Sequence, residues 1–395
     1  MEKEKTLFGL KNNVIVLGVV SFFTDVSSEM IFPLLPLFLT TFLGAGKEII
    51  GLIEGIADSI TSLFDIFVGY WSDITGKRKD FVIAGYGLSS IIKIGIALST
   101  IWQQVLVFRG LERIGKSIRT SPRDAIISES SDEKTRGKAF GLHRMMDTLG
   151  AIAGPIIAYF ILSAFGSSEN GYRMVFYGAI IPAVIAVAAI FFFVKEPKGA
   201  QAELKQKKPK FWDSLRAVEH DFKSFLIISC LFSLSYFSFA LLIVRANEIG
   251  IDPASILILY TVYNVLYACA SIPVGALSDK IGRKLIISSA FILYGLICIG
   301  FAFASDILQV GVLFALYGIF VAADDSVNKA YIADLSGKEK RAMAMGAYNT
   351  SVGAFYLPAS ALFGFIWAVS GAFTAFIAAA GIAILSGFLM QAFAK

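Results

Sequence analysis

Acidic side chains recur at helical spacing between residues 49 and 71. At about 100° per residue, Glu54, Asp58 and Asp65 fall at roughly 0°, 40° and 20° around a helix and so form one acidic stripe. Asp25 and Glu29 lie one helical turn apart and form a second acidic pair. Carboxylates whose surroundings alternate between wet and closed can take up and release protons. The pattern therefore indicates proton or cation binding, with a structural ion pair as the alternative for each acid.

A basic stripe lies between residues 104 and 127. Its members fall within about an 80° arc of one helix and extend over about 20 Å; they are Arg109, Arg113, Lys116, Thr120 and Arg123. Guanidinium groups bind phosphate and carboxylate well, so the stripe either pairs with the acids or receives an anionic or zwitterionic substrate. Lys93 adds an isolated cation in the preceding apolar segment.

Other polar side chains are candidates of a similar kind. His143 and Asp147, one turn apart, could form a proton relay, and Asp325 and Lys329 stand at pairing distance along a helix. We expect proton coupling to involve Asp25, Glu29, Glu54, Asp58, Arg109 and Asp147. The candidates for substrate binding are Lys93, Arg113, Lys116, Tyr263, Asn264 and Asp325, of which the tyrosine and the asparagine could equally be packing residues.

The segments that carry these residues are long and apolar. The chain has 395 residues, of which 56% are hydrophobic and only 16% charged, and its mean hydropathy is +0.71. A membrane-spanning helix needs about 20 mostly apolar residues. The sequence predicts an all-α membrane protein with twelve such spans, at 14–43, 49–71, 81–101, 104–127, 138–164, 174–194, 224–244, 255–277, 285–304, 307–333, 342–369 and 372–394.

Ionisable groups are costly at membrane depth, which constrains how the spans are arranged. The simplest arrangement points spans 1, 2 and 4 at one water-filled cavity, where the acids of the first two meet the bases of the fourth. This arrangement lowers the cost of burying the charges. It also leaves carboxylates whose protonation responds to hydration.

The basic residues indicate the orientation of the spans. Lysine and arginine concentrate in the loops after spans 2, 4, 8 and 10 and in the stretch 195–223, which the positive-inside rule places in the cytoplasm. We therefore expect a multi-pass protein of the cell membrane with both termini cytoplasmic. It would have two six-span halves, 1–194 and 224–395, joined by a basic linker at 195–223. The net charge of +5 then reflects topology and gives no reason to expect a nucleic-acid partner.

A short turn occurs twice, with a constant offset of 206 positions. The six positions Gly69, Ser72, Asp73, Gly76, Lys77 and Arg78 match Gly275, Ser278, Asp279, Gly282, Arg283 and Lys284 in type and spacing. Glycines permit a tight turn, and the cations hold it in the cytoplasm. The turn is either a topological anchor alone or a gating latch whose aspartate pairs with an arginine in one conformation.

The duplicated turn resembles the signature loop of the major facilitator superfamily, and the resemblance covers essentially the whole chain. In span 5, Gly150, Gly154 and Pro155 are similar to a motif of that superfamily's proton-coupled exporters, where glycines permit close helix packing. Arg109 matches the buried arginine of their fourth span, while Arg113 stands where that motif has a glycine. The resemblance implies two pseudo-symmetric six-helix bundles, alternating access, and a proton-coupled exporter resembling drug:proton antiporters.

The function expected from these patterns is transport of a small organic solute in exchange for protons, by a monomer in the lipid bilayer. The basic stripe favours a solute that is anionic. Import by proton symport and uncoupled facilitation remain open, and a non-transporting receptor or scaffold is the alternative from another class. The sequence has no zincin, nucleophile-elbow, Walker or dinucleotide-binding motif. We therefore expect no enzyme activity, no cofactor and no metal site.

Overall fold

The computed structural model describes residues 6–7, 9–75, 77–132, 135–196 and 220–393. Within these ranges the chain forms one short antiparallel hairpin, β1 (Thr6–Leu7) with β2 (Leu10–Lys11), and then only helices. The helices are α1 (Asn12–Ile31), α2 (Leu35–Thr41), α3 (Lys47–Thr75), α4 (Arg78–Leu98), α5 (Trp102–Glu129), α6 (Arg136–Phe165), α7 (Glu169–Phe193), α8 (His220–Ser233), α9 (Phe239–Glu248), α10 (Pro253–Ile281), α11 (Arg283–Phe303) and α12 (Ile307–Phe393).

Two of the predicted spans are interrupted helices. Span 1 consists of α1 and α2, which are separated by a turn at residues 32–34. Pro33 lies in this turn, where proline cannot donate the hydrogen bond that a continuing helix needs. Span 7 consists of α8 and α9, with residues 234–238 between them.

The last helix contains three spans. Helical residues follow one another over 87 positions, but they do not form one straight helix. Asn328 Nδ2 lies 3.1 Å from the Tyr348 hydroxyl, whereas a straight helix would separate these residues by about 30 Å. The ring centroids of Phe363 and Phe376 are 5.0 Å apart, so the run reverses a second time, near Gly371 with its φ of +84°. Spans 10, 11 and 12 are thus three antiparallel legs of α12.

All twelve predicted spans are therefore present as helices. Eight stretches are long and apolar enough on their own to cross a membrane, and the last of them, Met343–Phe393, contains two spans. The other three spans are α3, α5, and α8 with α9. The first two carry the charged stripes, and α8 and α9 are each short.

The chain folds into two compact units. The first contains residues 1–38 and 63–206, and the second contains residues 39–62 and 207–395. The core of the first unit includes Val14, Leu17, Val82, Ile126 and Ile190. The start of α3 belongs to the second unit, while the two sequence halves at 1–194 and 224–395 stay a prediction.

Each unit also carries large apolar side chains on its surface. Phe160 and Phe192 of the first unit are 65% and 72% exposed, and Ile272 and Leu308 of the second are 82% and 76% exposed. Exposed apolar surface of this extent is costly in water and favourable in lipid. The surfaces therefore fit a protein that is embedded in a bilayer.

Candidate functional site

In the first unit, α6 packs directly against the acidic face of α1. A Cβ atom added to Gly150 would lie 2.5 Å from the Phe22 carbonyl oxygen and 2.9 Å from Asp25 Cβ. One added to Gly154 would lie 2.7 Å from the Val26 oxygen and 2.9 Å from Glu29 Cβ. Only glycine fits at such distances, and the α1–α6 seam so formed contains both acids of α1. Pro155, next to Gly154, is buried within the same helix.

A third carboxylate joins this seam from α6. The Ser21 hydroxyl of α1 donates a hydrogen bond to Asp147 Oδ1, and His143 Nδ1 lies 3.5 Å from Asp147 Oδ2. The other ring nitrogen of His143 is buried and has no hydrogen-bond partner among the residues that the structure describes. The structure therefore brings the two members of the predicted relay together beside α1.

Asp25 is the centre of this cluster. It interacts electrostatically with Asp147 and Glu29, which are acidic, and with Lys116 and Arg119 of α5. Its side chain is partly buried. Three helices thus contribute charges of both signs to one place in the first unit, where one acid of span 1 lies within electrostatic range of two bases of span 4. The shared water-filled cavity stays a prediction.

The basic stripe of α5 is neutralised in part by its own helix. Arg109 Nη1 lies 2.6 Å from Glu112 Oε2, and both side chains are 6% exposed. Glu112 also interacts with Arg113, Lys93 and Arg119. Glu112 is therefore a shared counter-charge that was not among the predicted site residues, although its position three residues after Arg109 was a signal for pairing.

Two further cations of this unit have polar or aromatic partners. Lys93 is buried, and its ammonium group donates to the hydroxyls of Ser27 and Ser28, at 2.7 and 3.1 Å. Arg119 Nη1 donates to Ser89 Oγ at 2.6 Å, and its guanidinium carbon lies 4.6 Å from the centroid of the Tyr86 ring. Lys93 thus forms hydrogen bonds to α1 through two hydroxyl groups, and it also interacts electrostatically with Asp25 and Glu29 of that helix.

Glu54 and Asp58 lie in the second unit, where the start of α3 packs against the middle leg of α12. Added Cβ atoms at Gly51 and Gly55 would collide with the backbone at Ser360 and Leu357. Glu54 itself is 1% exposed, and the side chain of Asp65 lies outside the described part of the chain. The predicted pairing of these three acids with the α5 stripe stays a prediction.

The second unit contains a polar cavity between α8 and two legs of α12. It has about 550 Å³ of empty space, counting its open mouth. Asp325 lies in its wall, where Lys329 Nζ is 2.5 Å from Asp325 Oδ1 and the Tyr267 hydroxyl is 3.1 Å from Oδ2. The lining residues are Phe232, Ser233, Tyr236, Asp324, Asp325, Asn328, Lys329, Met345, Tyr348, Asn349, Val352 and Tyr356.

Two predicted substrate-binding residues are engaged elsewhere in this unit. The Tyr263 ring stacks on Phe239 with centroids 4.8 Å apart, and Asn264 Nδ2 donates to the Tyr260 carbonyl oxygen at 3.2 Å. Neither residue lines the polar cavity. The Tyr263 stacking is the packing contact that was the alternative for it, and a part of either residue in substrate binding stays a prediction.

The second of the duplicated turns has a network of polar contacts. Gly282 has a φ of +98°, which favours glycine. Arg283 contacts Asp279 at 2.6 Å and Asp334 at 2.8 Å. The arginine and aspartate of the possible latch are therefore paired in this structure. Gly275, at the start of the turn, has open space beside it.

The first turn is described only at its end. The backbone N–H groups of Arg78 and Lys79 donate to the Glu196 carboxylate at 3.0 and 2.8 Å, and the Arg78 guanidinium pairs with Glu129. Gly76 lies outside the described residues, as do the side chain of Asp73 and the surroundings of Gly69. The first turn is thus tied to α5 and to the residues that follow α7.

Comparison with known proteins gives matches along the whole chain. A family model described as Major Facilitator Superfamily matches residues 17–245 and 224–395. The chain is 41% identical over 387 residues to the uncharacterized MFS-type transporter MJ1317 of Methanocaldococcus jannaschii. The aligned region covers 96% of this chain and 94% of that protein. The chain is 25% identical over 343 residues to multidrug resistance protein MdtG of Dickeya zeae, which covers 81% and 78%.

Solved structures of the same architecture also match. A POT family transporter in complex with 5-aminolevulinic acid has a TM-score of 0.82 at 14% identity and covers 99% of this chain and 98% of that one. Nucleoside transporter NupG has a TM-score of 0.78 at 13% identity and covers 96% and 98%. At these identities the likeness is one of fold.

Proposed function

The chain belongs to the major facilitator superfamily and is a membrane transporter, and we propose that it exports a small organic solute by alternating access in exchange for protons. The predicted family and its twelve-helix fold are confirmed. In this proposal the protein works as a monomer in the cell membrane, with both termini in the cytoplasm.

One observation carries the proton-coupling part of this proposal. Asp25 lies in the α1–α6 seam within range of two further carboxylates and of two cations of α5. Carboxylates grouped in this way change their proton occupancy when water enters or leaves their surroundings. A seam that is alternately hydrated and closed would therefore bind a proton on one side of the membrane and release it on the other.

The grouping of cations on α5 supports an anionic group on the solute. Lys116 is exposed, and it lies near two further cations of the same helix, Arg113 and Arg119. A guanidinium presents a planar pair of donors that matches a carboxylate or a phosphate. The direction of export draws support from the multidrug resistance protein that matches most of this chain.

The experiment is transport by the purified full-length protein in liposomes under an imposed pH gradient. Radiolabelled solutes of several classes, including organic anions, are offered with the gradient inward, outward or absent. Export by exchange predicts that solute moves against the direction in which protons flow. Movement in the same direction as protons would instead show symport, flux that ignores the gradient would show facilitation, and binding without flux would favour a receptor.

The variant Asp25→Asn separates coupling from translocation. We expect it to lose the stimulation by the pH gradient while retaining solute exchange at equal pH on both sides, because the isosteric amide cannot carry the proton. Glu169→Gln is the matched control, since Glu169 is exposed and pairs with Arg173 outside the seam. Equal gradient stimulation in both variants would show that Asp25 has no part in coupling.

A further inference from the structure

The polar cavity of the second unit has an excess of negative charge. Its wall contains two carboxylates, Asp324 and Asp325, and one ammonium group, that of Lys329. Lys329 contacts Asp325 directly, at 2.5 Å, and also interacts electrostatically with Asp324, so the two carboxylates of this wall share one ammonium group. Asp324 accepts a hydrogen bond from Asn328 Nδ2 at 2.7 Å, which orients its carboxylate but does not neutralise it.

Asn328 supplies a second and independent observation. Its side chain is 3% exposed, and while Nδ2 donates to Asp324 and to the Tyr348 hydroxyl, its Oδ1 atom is buried without a hydrogen-bond partner in the described part of the chain. A buried acceptor of this kind is costly unless a donor reaches it. The residues that line the cavity thus include a carboxylate and, on the neighbouring turn, an amide whose oxygen can still accept a hydrogen bond.

Aromatic rings form another part of the wall. Tyr236, Tyr348 and Tyr356 line the cavity, with the rings of Tyr236 and Tyr356 5.9 Å apart and that of Tyr348 stacked on Phe225 at 5.3 Å. Aromatic faces attract organic cations. A metal ion is not favoured, since the described residues contain no group of three or more His, Cys, Asp or Glu side chains that could hold one, and an anion would be repelled by the carboxylates.

From this combination we propose that the cavity binds the protonated amino group of a small organic amine. The ammonium N–H groups donate to the Asp324 carboxylate and to Asn328 Oδ1, and the carbon atoms next to nitrogen lie against the tyrosine rings. The need for an N–H donor distinguishes a protonated amine from a quaternary ammonium ion. This inference rests on the proposed function, because the amine would be the transported solute or a group on that solute.

The test is isothermal titration calorimetry on the full-length protein in detergent at neutral pH. The probes are methylamine, butylamine, benzylamine and phenethylamine, with benzyl alcohol and benzyltrimethylammonium as neutral and quaternary counterparts of benzylamine and sodium chloride as the inorganic cation. We expect at least one aryl or alkyl amine to bind at least about tenfold more tightly than either counterpart, since both of these lose the charged N–H donor.

Variants locate the site. Asp324→Asn should weaken amine binding by about tenfold or more, whereas Asp306→Asn, which removes a carboxylate of the same unit that caps the start of α12, should leave binding unchanged because asparagine caps equally well. Tyr356→Leu should weaken binding about threefold and Tyr356→Phe should restore it, because the ring and not the hydroxyl contacts the cation. If Asp324→Asn does not fold, Asn328→Leu provides a second test of the site, because it removes the amide oxygen and keeps Asp324.

The outcomes are distinct. Four results would each overturn the inference. They are no binding of any of the four amines, benzyl alcohol binding as tightly as benzylamine, displacement of the bound amine by sodium ions alone, and equal amine affinities in Asp324→Asn and Asp306→Asn. Amine binding that depends on Asp324, without any flux in liposomes, would support the site and remove the proposed transport of the amine. A third outcome is that no amine binds, while a pH gradient still drives flux of other solutes in Asp324→Asn. This result would support the proposed function and remove the site.

Discussion

Arg109 and Glu112 show how a charged side chain is accommodated inside the first unit. The two groups are one turn apart on α5, 2.6 Å from each other, and the Arg109 guanidinium also lies 5.4 Å from the centroid of the Phe32 ring. Pairing within one helix needs no precise docking of a second helix. The pair can therefore persist while neighbouring helices move.

Loss of the Glu112 charge should destabilise the protein strongly. Glu112→Gln removes the carboxylate that lies 2.6 Å from the buried Arg109 guanidinium, and breaking a buried ion pair costs about 3–5 kcal/mol in comparable cases. Glu169→Gln removes a carboxylate that is half exposed in its ion pair with Arg173, and such surface pairs contribute at most about 1 kcal/mol. Thermal unfolding in detergent, followed by intrinsic fluorescence, should show a much lower midpoint for the first variant.

The double variant Arg109→Met, Glu112→Leu is the check on this explanation. Apolar residues of similar volume avoid the unpaired charge, so the double variant should unfold at a higher temperature than Glu112→Gln. Equal midpoints for Glu112→Gln and Glu169→Gln would show that the buried pair contributes little to stability.

A pH-dependent contribution is expected at the start of α10, just outside the membrane-spanning segment. The Asp252 carboxylate accepts hydrogen bonds from the Ser255 hydroxyl and from backbone N–H groups, including that of Ser255 at 3.0 Å. These bonds, and the hydroxyl's most of all, lower the pKa of Asp252 below its ordinary value of 3.8. A lowered pKa stabilises the folded state at pH values above 3.8, and this stabilisation is lost as the pH falls through the folded-state pKa.

The corresponding measurement compares three proteins over a pH series. Asp252→Ala should cost about 1 kcal/mol near neutral pH because the cap is lost, and Asp252→Asn should cost less because the amide still accepts the bond. The advantage of the wild type over Asp252→Asn should be constant above pH 5 and shrink below about pH 4. An advantage that grew on acidification would contradict the assignment.

Contacts between residues close in sequence were the ones that the sequence could predict. Asp325 with Lys329 follows from a spacing of four on a helix. Lys93 with Ser27, by contrast, joins residues 66 positions apart. Such a partner depends on how α4 is rotated against α1, and single-sequence periodicity identifies an apolar face without identifying which helix covers it.

At the scale of helices, close approach of α6 to α1 is set by glycine. Gly150 and Gly154 meet the α1 backbone directly, and this contact aligns Asp147 with the two acids of α1. The glycine spacing predicted a packing face in span 5. The identity of the partner helix came only from the structure, because the same small-residue pattern is compatible with any neighbour.

Enlarging one of these glycines should separate the two helices. Gly154→Val should lower thermal stability by about 1–3 kcal/mol or more through overpacking and reduce transport, because the seam around Asp25 can no longer close. Gly141→Ala is the matched control in the same helix, since an added Cβ there has no atom within 4 Å. It should be neutral or stabilising, because alanine favours helix over glycine by about 1 kcal/mol. Equal losses in both variants would show that α6 does not depend on this contact.

The irregularities of the helices were less accessible from sequence. Span 7 reads as one apolar run, yet it is divided at residues 234–238, where the Tyr294 hydroxyl donates to the Ser235 carbonyl oxygen at 2.9 Å. A side chain 59 positions away thus satisfies backbone that leaves the helix. Such breaks depend on tertiary hydrogen bonds, which local patterns do not contain.

At the scale of the whole molecule, the number of spans fixes which loops share a side of the membrane. Ser167 follows the fifth span and Lys280 ends the eighth, so three spans separate them and they must lie on opposite sides. The positive-inside rule places Lys280 in the cytoplasm. This orientation was predicted from the loops alone, and it can be measured directly because both side chains are exposed.

Cysteine labelling in intact cells provides the measurement. In a variant whose three cysteines are replaced by alanine, Ser167→Cys should react with a membrane-impermeant maleimide added outside, and Lys280→Cys should react only after the membrane is permeabilised. The reason is that a charged maleimide does not cross the hydrocarbon core. Labelling of both positions from outside would contradict the number of spans between them, and the reverse pattern would place the termini outside and invert the proposed direction of transport.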